Sequence, residues 1–186
     1  MNESIVEEVR KFVEEECRKP SNKYTYEVYD FHIVQVVKYA KEIAKKLNAD
    51  LEIVELASLL HDIGLVCFGR ENHHITRAEI AEEKLKELNY PEEKIEIVKK
   101  CILNHRGSVN NQKSSVEEQI IADADGMTMF DRIEGVFLAA FVYEKLGQIE
   151  ARKSARQKLI NSYNKLSEDA KKIVQNKFEA AMLLLS

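Results

Sequence analysis

The stretch "ASLLHDIG", residues 57–64, has the composition of a helix that runs through a hydrophobic core and then stops. Two polar residues interrupt it, because His61 and Asp62 stand side by side and both are good metal ligands. Neighbouring residues on an α-helix point about 100° apart, so both can reach one ion only where the helix ends. Gly64 is a natural stop signal. The sequence therefore predicts that the pair lies where this helix leaves the core.

Apolar residues recur at helical spacing along nearly the whole chain, and we find no strand pattern, internal repeat or low-complexity linker. The predicted helices cover about residues 4–17, 28–47, 50–64, 75–88, 91–105, 116–146, 149–163 and 167–185. The segment at 65–74, which is short, aromatic and contains a glycine, and the polar, turn-rich segment at 106–115 are predicted loops, where a site would open.

This pattern predicts an all-α protein, a single-domain helical bundle of about seven to eight helices over residues 1–186. Its core is expected at about 26–146. The helices at 149–185 carry no motif, and they are expected to cover the core or to form the face of a homodimer.

Composition excludes several classes of protein. The chain has 186 residues, of which 45% are hydrophobic and 32% charged, and its net charge of −4 argues against a partner of duplex nucleic acid. Three cysteines without a CxxC spacing indicate reduced thiols rather than a disulfide framework. The N-terminus is acidic and amphipathic, and the longest apolar run, "VFLAAFVY", is too short to span a membrane. We expect a cytoplasmic protein.

Further polar residues interrupt the apolar faces. His32 lies on the stripe of the second helix, His105 ends the fifth, and Asp123 and Asp125 lie in a strongly hydrophobic helix. A buried imidazole or carboxylate is costly unless it is paired or binds a metal. One such residue is usually a core residue satisfied by hydrogen bonds, but several near helix ends indicate a metal site. Nitrogen and carboxylate ligands without thiolate favour manganese, iron, cobalt, zinc or magnesium.

Together these motifs resemble the HD superfamily of metal-dependent phosphohydrolases, over about residues 28–132. The segments "HIVQVVKYA", "ASLLHDIG" and "IIADADGM" stand in the family's order. The resemblance implies an all-helical fold whose metal ligands are His32, His61, Asp62 and Asp125.

The last ligand has an alternative, because Asp123 also follows an alanine. Residues two apart on a helix point about 200° apart, so both aspartates cannot face one ion directly. The resemblance favours Asp125. It also offers His73, in "HHITRAEIAEEKL", and His105, in "ILNHRGS", as ligands of a second ion. One ion is expected, and a binuclear site is the alternative. Otherwise both histidines bind the substrate phosphate or stay at the loop surface.

Two positions depart from the family. Many relatives carry a lysine where this chain has Leu65 and an arginine where it has Gln35, so the phosphate must be held by other groups. Arg70, Arg106 and Lys113 lie in the two predicted loops and are candidates by charge and position. The alternative for each is a solvated loop charge.

The resemblance implies hydrolysis of a phosphate ester or anhydride of a nucleotide or similar small phosphometabolite through a metal-activated water. His61, Asp62 and His105 are the expected catalytic residues. One alternative is a regulatory HD domain that binds metal and nucleotide without turnover. Another is a helical interaction domain without a metal.

Overall fold

The structure is a computed structural model that describes residues 4–22, 24–69, 73–105 and 113–186, with the side chains of 73–77 outside the description. Within these residues it has ten α-helices, two π-helical turns and no strand, which confirms the all-α fold. The α-helices are α1 Ile5–Arg18, α2 Val34–Leu47, α3 Leu51–Leu60, α4 Ile63–Phe68, α5 His73–Glu87, α6 Glu92–Asn104, α7 Val116–Thr128, α8 Ile133–Leu138, α9 Gln148–Lys165 and α10 Glu168–Leu184. The π-helical turns are Tyr29–Ile33 and Ala139–Tyr143.

Side-chain caps define several helix starts. The Ser4 hydroxyl accepts a hydrogen bond from the Glu7 N–H at 3.4 Å, and the Asp50 carboxylate accepts from the N–H groups of Glu52 and Ile53. These bonds satisfy N–H groups that have no partner inside the helix. Serine and aspartate are residue types preferred at the N-cap, so both helix starts follow from the local sequence.

The chain forms two compact units, residues 1–122 and 123–186. In the first unit, α3 packs against α1, α2 and α6. Residues 53–60 of α3 are all buried, as expected for a helix that is apolar on every side. Glu55 is the charged residue among them. Its carboxylate accepts hydrogen bonds from Arg10 of α1 at 2.5 Å and Lys41 of α2 at 2.6 Å. This carboxylate ties three helices together.

In the second unit, α9 packs against α8 and α10, and an aromatic cluster lies between α9 and α10. The rings of Tyr163 and Phe178 stack with centroids 4.0 Å apart, and Phe130 meets both edge-on. The helices predicted near 149–163 and 167–185 are confirmed as α9 and α10. A single domain over the whole chain, with the C-terminal helices covering its core, stays a prediction.

Two boundaries predicted from the sequence are wrong. The segment predicted as a loop from residue 65 begins inside α4, and Gly64 is a buried residue of that helix rather than a stop signal. The helix predicted over 116–146 ends at Thr128, whose hydroxyl donates to the carbonyl of Asp125, and a turn separates it from α8. A six-residue helix is too short to show a period, and apolar residues at helical spacing on both sides of a short turn look like one helix. The short helices α4 and α8, which were not predicted, put the number of helices slightly above the predicted range.

Candidate metal centre

A turn at the His-Asp pair itself separates α3 from α4. His61 follows the last residue of α3, and Asp62 is the N-cap of α4 with φ −116° and ψ 15°. The Asp62 carbonyl accepts the first hydrogen bonds of α4, from Leu65 and Val66. The junction brings both side chains to one place, since His61 Nε2 lies 3.5 Å from Asp62 Oδ2. The predicted position of the pair at a helix end is therefore right, although Gly64 is not the residue that turns the chain.

His32 reaches the same place from the π-helical turn Tyr29–Ile33, which leads into α2. Its Nε2 atom lies 3.1 Å from His61 Nε2 and 3.5 Å from Asp62 Oδ2. The three residues offer two imidazole nitrogens and a carboxylate oxygen, all within 4.8 Å of one another. Short π-helical turns inside α-helices are rare and occur frequently at functional sites.

Backbone carbonyls orient two of the imidazole rings. His61 Nδ1 lies 2.7 Å from the Ser58 carbonyl oxygen, and His105 Nδ1 lies 2.6 Å from the Ile102 carbonyl oxygen. A carbonyl oxygen only accepts, so each Nδ1 must carry the proton and donate it. In that tautomer Nε2 presents its lone pair, which is the arrangement of metal-binding histidines.

Asp62 carries the negative charge of the cluster. Its side chain is 13% exposed, and its carboxylate does not cap α4, although an N-cap aspartate usually does so. Burial raises the pKa of Asp62, but its interactions with His61, His32 and His105, including a hydrogen bond from His32, lower it more, and its pKa falls well below the usual range. The group is therefore an ionised carboxylate, as a metal ligand must be.

His105 borders the cluster from the end of α6. Its Nε2 lies 3.9 Å from Asp62 Oδ1, on the opposite oxygen from His32 and His61. The His105 ring meets the His61 ring edge-on, with centroids 5.2 Å apart, and only 2% of the side chain is exposed. The sequence predicted this residue near the pair, and the structure brings it there.

The assignment of the other predicted site residues stays a prediction. Asp125 lies in the second unit, where Asp123 accepts a hydrogen bond from the Ser167 N–H at 2.8 Å and so supports the start of α10. The Lys113 amine donates to the carbonyl of Asn104. Arg70, Arg106 and the side chain of His73 lie outside the described residues.

Sequence reasoning missed two residues that stabilise the end of α6, where His105 lies. Glu118, 1% exposed, and Asn104, next to His105, are joined by a hydrogen bond of 3.0 Å. A signal for Glu118 was available, because Ser115 and Glu118 have the spacing of a capping box, and the Ser115 hydroxyl does accept from the Glu118 N–H.

The donor set suits a divalent cation. Two lone-pair nitrogens and an ionised carboxylate are ligands that zinc, manganese, iron and cobalt accept, and magnesium shares the preference for the carboxylate. The backbone carbonyls behind His61 and His105 supply the second layer of hydrogen bonds that orients metal ligands. The residues present therefore fit a metal ion.

Comparison with known protein families agrees with this geometry. The family profile of the HD domain matches residues 29–129, more than half of the chain, and the match includes His32, His61, Asp62 and His105. The chain belongs to the HD domain family. The resemblance stated from the sequence motifs is thereby confirmed.

The chain is also similar to other proteins over part of their length. An uncharacterised protein of Clostridium beijerinckii is 34% identical over 101 residues, which are 52% of this chain and 62% of that protein. A tRNA (cytidine(56)-2'-O)-methyltransferase of Thermoplasma volcanium is 30% identical over 122 residues, 59% of this chain and 35% of the enzyme. This chain thus covers less than two thirds of these relatives.

Solved structures share the fold. Bacillus subtilis YpgQ, solved in complex with ADP, has a TM-score of 0.71 at 22% identity, covering 96% of this chain and 92% of YpgQ. An HD-superfamily hydrolase of Bacillus thuringiensis has a TM-score of 0.74 at 19% identity, covering 96% and 91%. At these identities the similarity establishes the fold.

Among the described residues, none of the helices combines the length and the apolar character needed to cross a bilayer.

Proposed function

We propose that this HD domain is a metal-dependent phosphohydrolase that cleaves a phosphate ester or anhydride of a small phosphorylated metabolite. The observation that carries the proposal is the cluster of His32, His61 and Asp62, with ligand atoms within 4.8 Å of one another. Membership of the HD domain family supports it.

His32, His61, Asp62 and Asp125 are the proposed ligands of one ion. Asp123 is the alternative to Asp125, but its carboxylate already accepts the Ser167 N–H, and that structural role favours Asp125. A second ion would use His105 and His73 and is kept as the alternative. The ligand types suit manganese, iron, cobalt, zinc or magnesium.

A bound cation would supply a Lewis acid that lowers the pKa of water and polarises a phosphoryl oxygen. The protein's own groups prepare the site for it. Asp62 contributes a fixed negative charge, and the Ser58 carbonyl keeps the lone pair of His61 on Nε2. His105 would hold a phosphoryl or leaving-group oxygen, and the 3.9 Å between its Nε2 and Asp62 Oδ1 supports this role.

A nucleotide is the proposed substrate class. The similar structure of YpgQ holds ADP, although its identity to this chain is only 22%. Arg70, Arg106 and Lys113 are the proposed phosphate-binding cations. Lys113 is the weakest of them, because its amine already donates to the Asn104 carbonyl and would have to leave that bond.

The second candidate is a regulatory HD domain that binds metal and nucleotide without turnover. Leu65 and Gln35 favour it, since both stand where many relatives carry a cation that binds phosphate. The two candidates share the metal site and differ in whether phosphate is released.

Two measurements test the proposal. Metal analysis of the purified protein, before and after incubation with manganese, iron, cobalt, zinc or magnesium, should find at least one ion per chain. Phosphate release is then screened over mononucleotides, dinucleoside polyphosphates and sugar phosphates. Asp62→Asn should reduce metal uptake and lower activity at least about a hundredfold. Asp169→Asn makes the same chemical change at an exposed site in α10 and should change neither.

Each candidate function can be refuted by a specific result. A protein that takes up none of these ions refutes both. Metal uptake without phosphate release from any substrate class supports the regulatory domain. Activity that survives Asp62→Asn unchanged refutes the metal mechanism.

A further inference from the structure

Glu118 is a buried carboxylate outside the metal cluster. It lies in the first turn of α7 with 1% of its surface exposed. A charged group in such a position is costly unless strong partners surround it. Its partners come from the two ends of the connection between α6 and α7. The Asn104 side-chain amide donates to Oε2 at 3.0 Å, the Ser114 N–H donates to Oε2 at 3.2 Å, and the Ser114 hydroxyl donates to Oε1.

A further bond reinforces the same connection. The Lys113 amine donates to the Asn104 carbonyl, so Asn104 is held through its side chain by Glu118 and through its backbone by Lys113. Asn104 is the last residue of α6, where carbonyl groups lack partners inside the helix and helices commonly fray. These contacts fix the place where α6 ends.

His105 is the next residue along the chain, so whatever fixes Asn104 also fixes the backbone that carries the His105 ring. The ring has two constraints of its own, the Nδ1 bond to Ile102 at 2.6 Å and the approach of Nε2 to Asp62 Oδ1 at 3.9 Å. Both require the last turn of α6 to stay formed. Loss of the Glu118 carboxylate would leave the Asn104 amide and the Ser114 N–H without this acceptor and would loosen that turn.

We propose that Glu118 is a positioning residue, which holds Asn104 and thereby keeps the imidazole of His105 directed at Asp62 of the metal cluster. The catalytic consequence of this role rests on the proposed phosphohydrolase function. The geometric role does not, because it concerns only the orientation of His105.

The test compares Glu118→Gln with Glu117→Gln, which removes the neighbouring charge but leaves the contacts of Glu118. The first readout is the imidazole ¹H and ¹⁵N signals of His105 in the metal-free protein, assigned with His105→Gln. In Glu118→Gln these signals should shift or broaden more than those of His61, whose ring contacts His105 but is held by Ser58 in another helix. Glu117→Gln should leave both sets unchanged.

The second readout is functional and uses manganese and p-nitrophenyl phosphate as probes. Glu118→Gln should lower kcat by about ten- to hundredfold, because a displacement of about 1 Å at a reacting group has that effect. Manganese affinity should change by less than about threefold, since His32, His61 and Asp62 are untouched.

Asn104→Ala serves as an independent second variant. It removes the link from the other side, so it should reproduce the change in the His105 signals, and combining it with Glu118→Gln should add little. Ser114→Ala removes only one donor and remains informative if Glu118→Gln does not fold.

The proposal is overturned if the folded Glu118→Gln protein, or Asn104→Ala, keeps the wild-type His105 signals, because Glu118 would then serve stability alone. A wild-type protein that binds no metal and releases no phosphate would refute the proposed function instead. The His105 signals would still decide the role of Glu118 in that case.

Discussion

The Nε2 atoms of His32 and His61 lie 3.1 Å apart, although 29 residues separate them in the chain. Packing of α2 against α3 explains this approach. The two helices are joined by only three residues, so they form a helical hairpin. His32 lies just before the first helix of the hairpin and His61 just after the second, so both reach the same end of it.

The tautomer of His61 gives a direct prediction. Its Nδ1 should carry the proton because the Ser58 carbonyl accepts at 2.7 Å, and His105 should show the same tautomer through Ile102. Long-range ¹H–¹⁵N spectra near pH 8 measure this. On addition of zinc, the Nε2 signals of His32 and His61 should move while the His61 Nδ1–H stays. A proton on His61 Nε2 before zinc is added would contradict the assignment.

Removal of the Glu55 carboxylate should destabilise the first unit. Glu55→Ala leaves the amine of Lys41 and the guanidinium of Arg10 without this partner among three packed helices. Because both cations remain partly exposed, we expect a loss of about 1–3 kcal/mol in the free energy of unfolding. Urea denaturation measures it. The control is Glu42→Ala, which breaks the exposed pair with Lys46 and should cost below about 0.5 kcal/mol.

Glu118 should make stability depend on acid pH. Burial raises the pKa of its carboxyl, but hydrogen bonds from Ser114 and Asn104 and the charge of Lys113 lower it more, and the pKa falls below its usual value. A lowered pKa in the folded state adds stability above the unfolded pKa of about 4.3, and this is lost as pH falls through the folded pKa. The difference in unfolding free energy between wild type and Glu118→Gln should therefore shrink as the solution is acidified below about pH 4.

Denaturation curves at several pH values between neutral and acid measure that difference. Glu117→Gln should show no comparable dependence. A difference that grows on acidification would mean that the carboxyl is protonated in the folded protein, which would contradict a lowered pKa of Glu118.

Phe130 should carry much of the stability of the second unit. Its ring lies 9% exposed, edge-on to Tyr163 and Phe178. Phe130→Ala should cost about 3–4 kcal/mol, because it leaves a cavity beside two stacked rings. Phe141→Ala, at a ring that is 44% exposed, should cost less than about 1 kcal/mol. Equal losses in thermal or urea unfolding would show that the cluster does not matter.

The Cys67 thiol should react slowly. Burial and the carboxylate of Glu16, whose Oε2 lies 3.5 Å from the sulfur, raise the pKa of Cys67 to about 12. Little thiolate then exists at neutral pH, and the thiolate is the reactive form. Iodoacetamide should modify the native protein slowly at this site, and Glu16→Gln should accelerate the reaction. Mass spectrometry of digested protein locates the label, and rapid labelling of native Cys67 would contradict this account.

The sequence by itself determined the helical fold and the composition of the site. Helical periodicity is local, so the capped starts at Ser4 and Asp50 and the end of α3 near His61 could be read from it. The ordered histidines and aspartates also identified the family, because ligand types and their order are properties of the chain.

Only the tertiary structure decided how those residues meet. The turn falls at Asp62 rather than Gly64. The sequence does not show this, because α4 is too short to have a recognisable hydrophobic period. The hydrogen bond between Glu118 and Asn104 joins two helices, and the packing of α2 on α3 brings His32 to His61. Such contacts depend on which helix faces pack together, and helical periodicity shows that a face is buried without showing which face covers it.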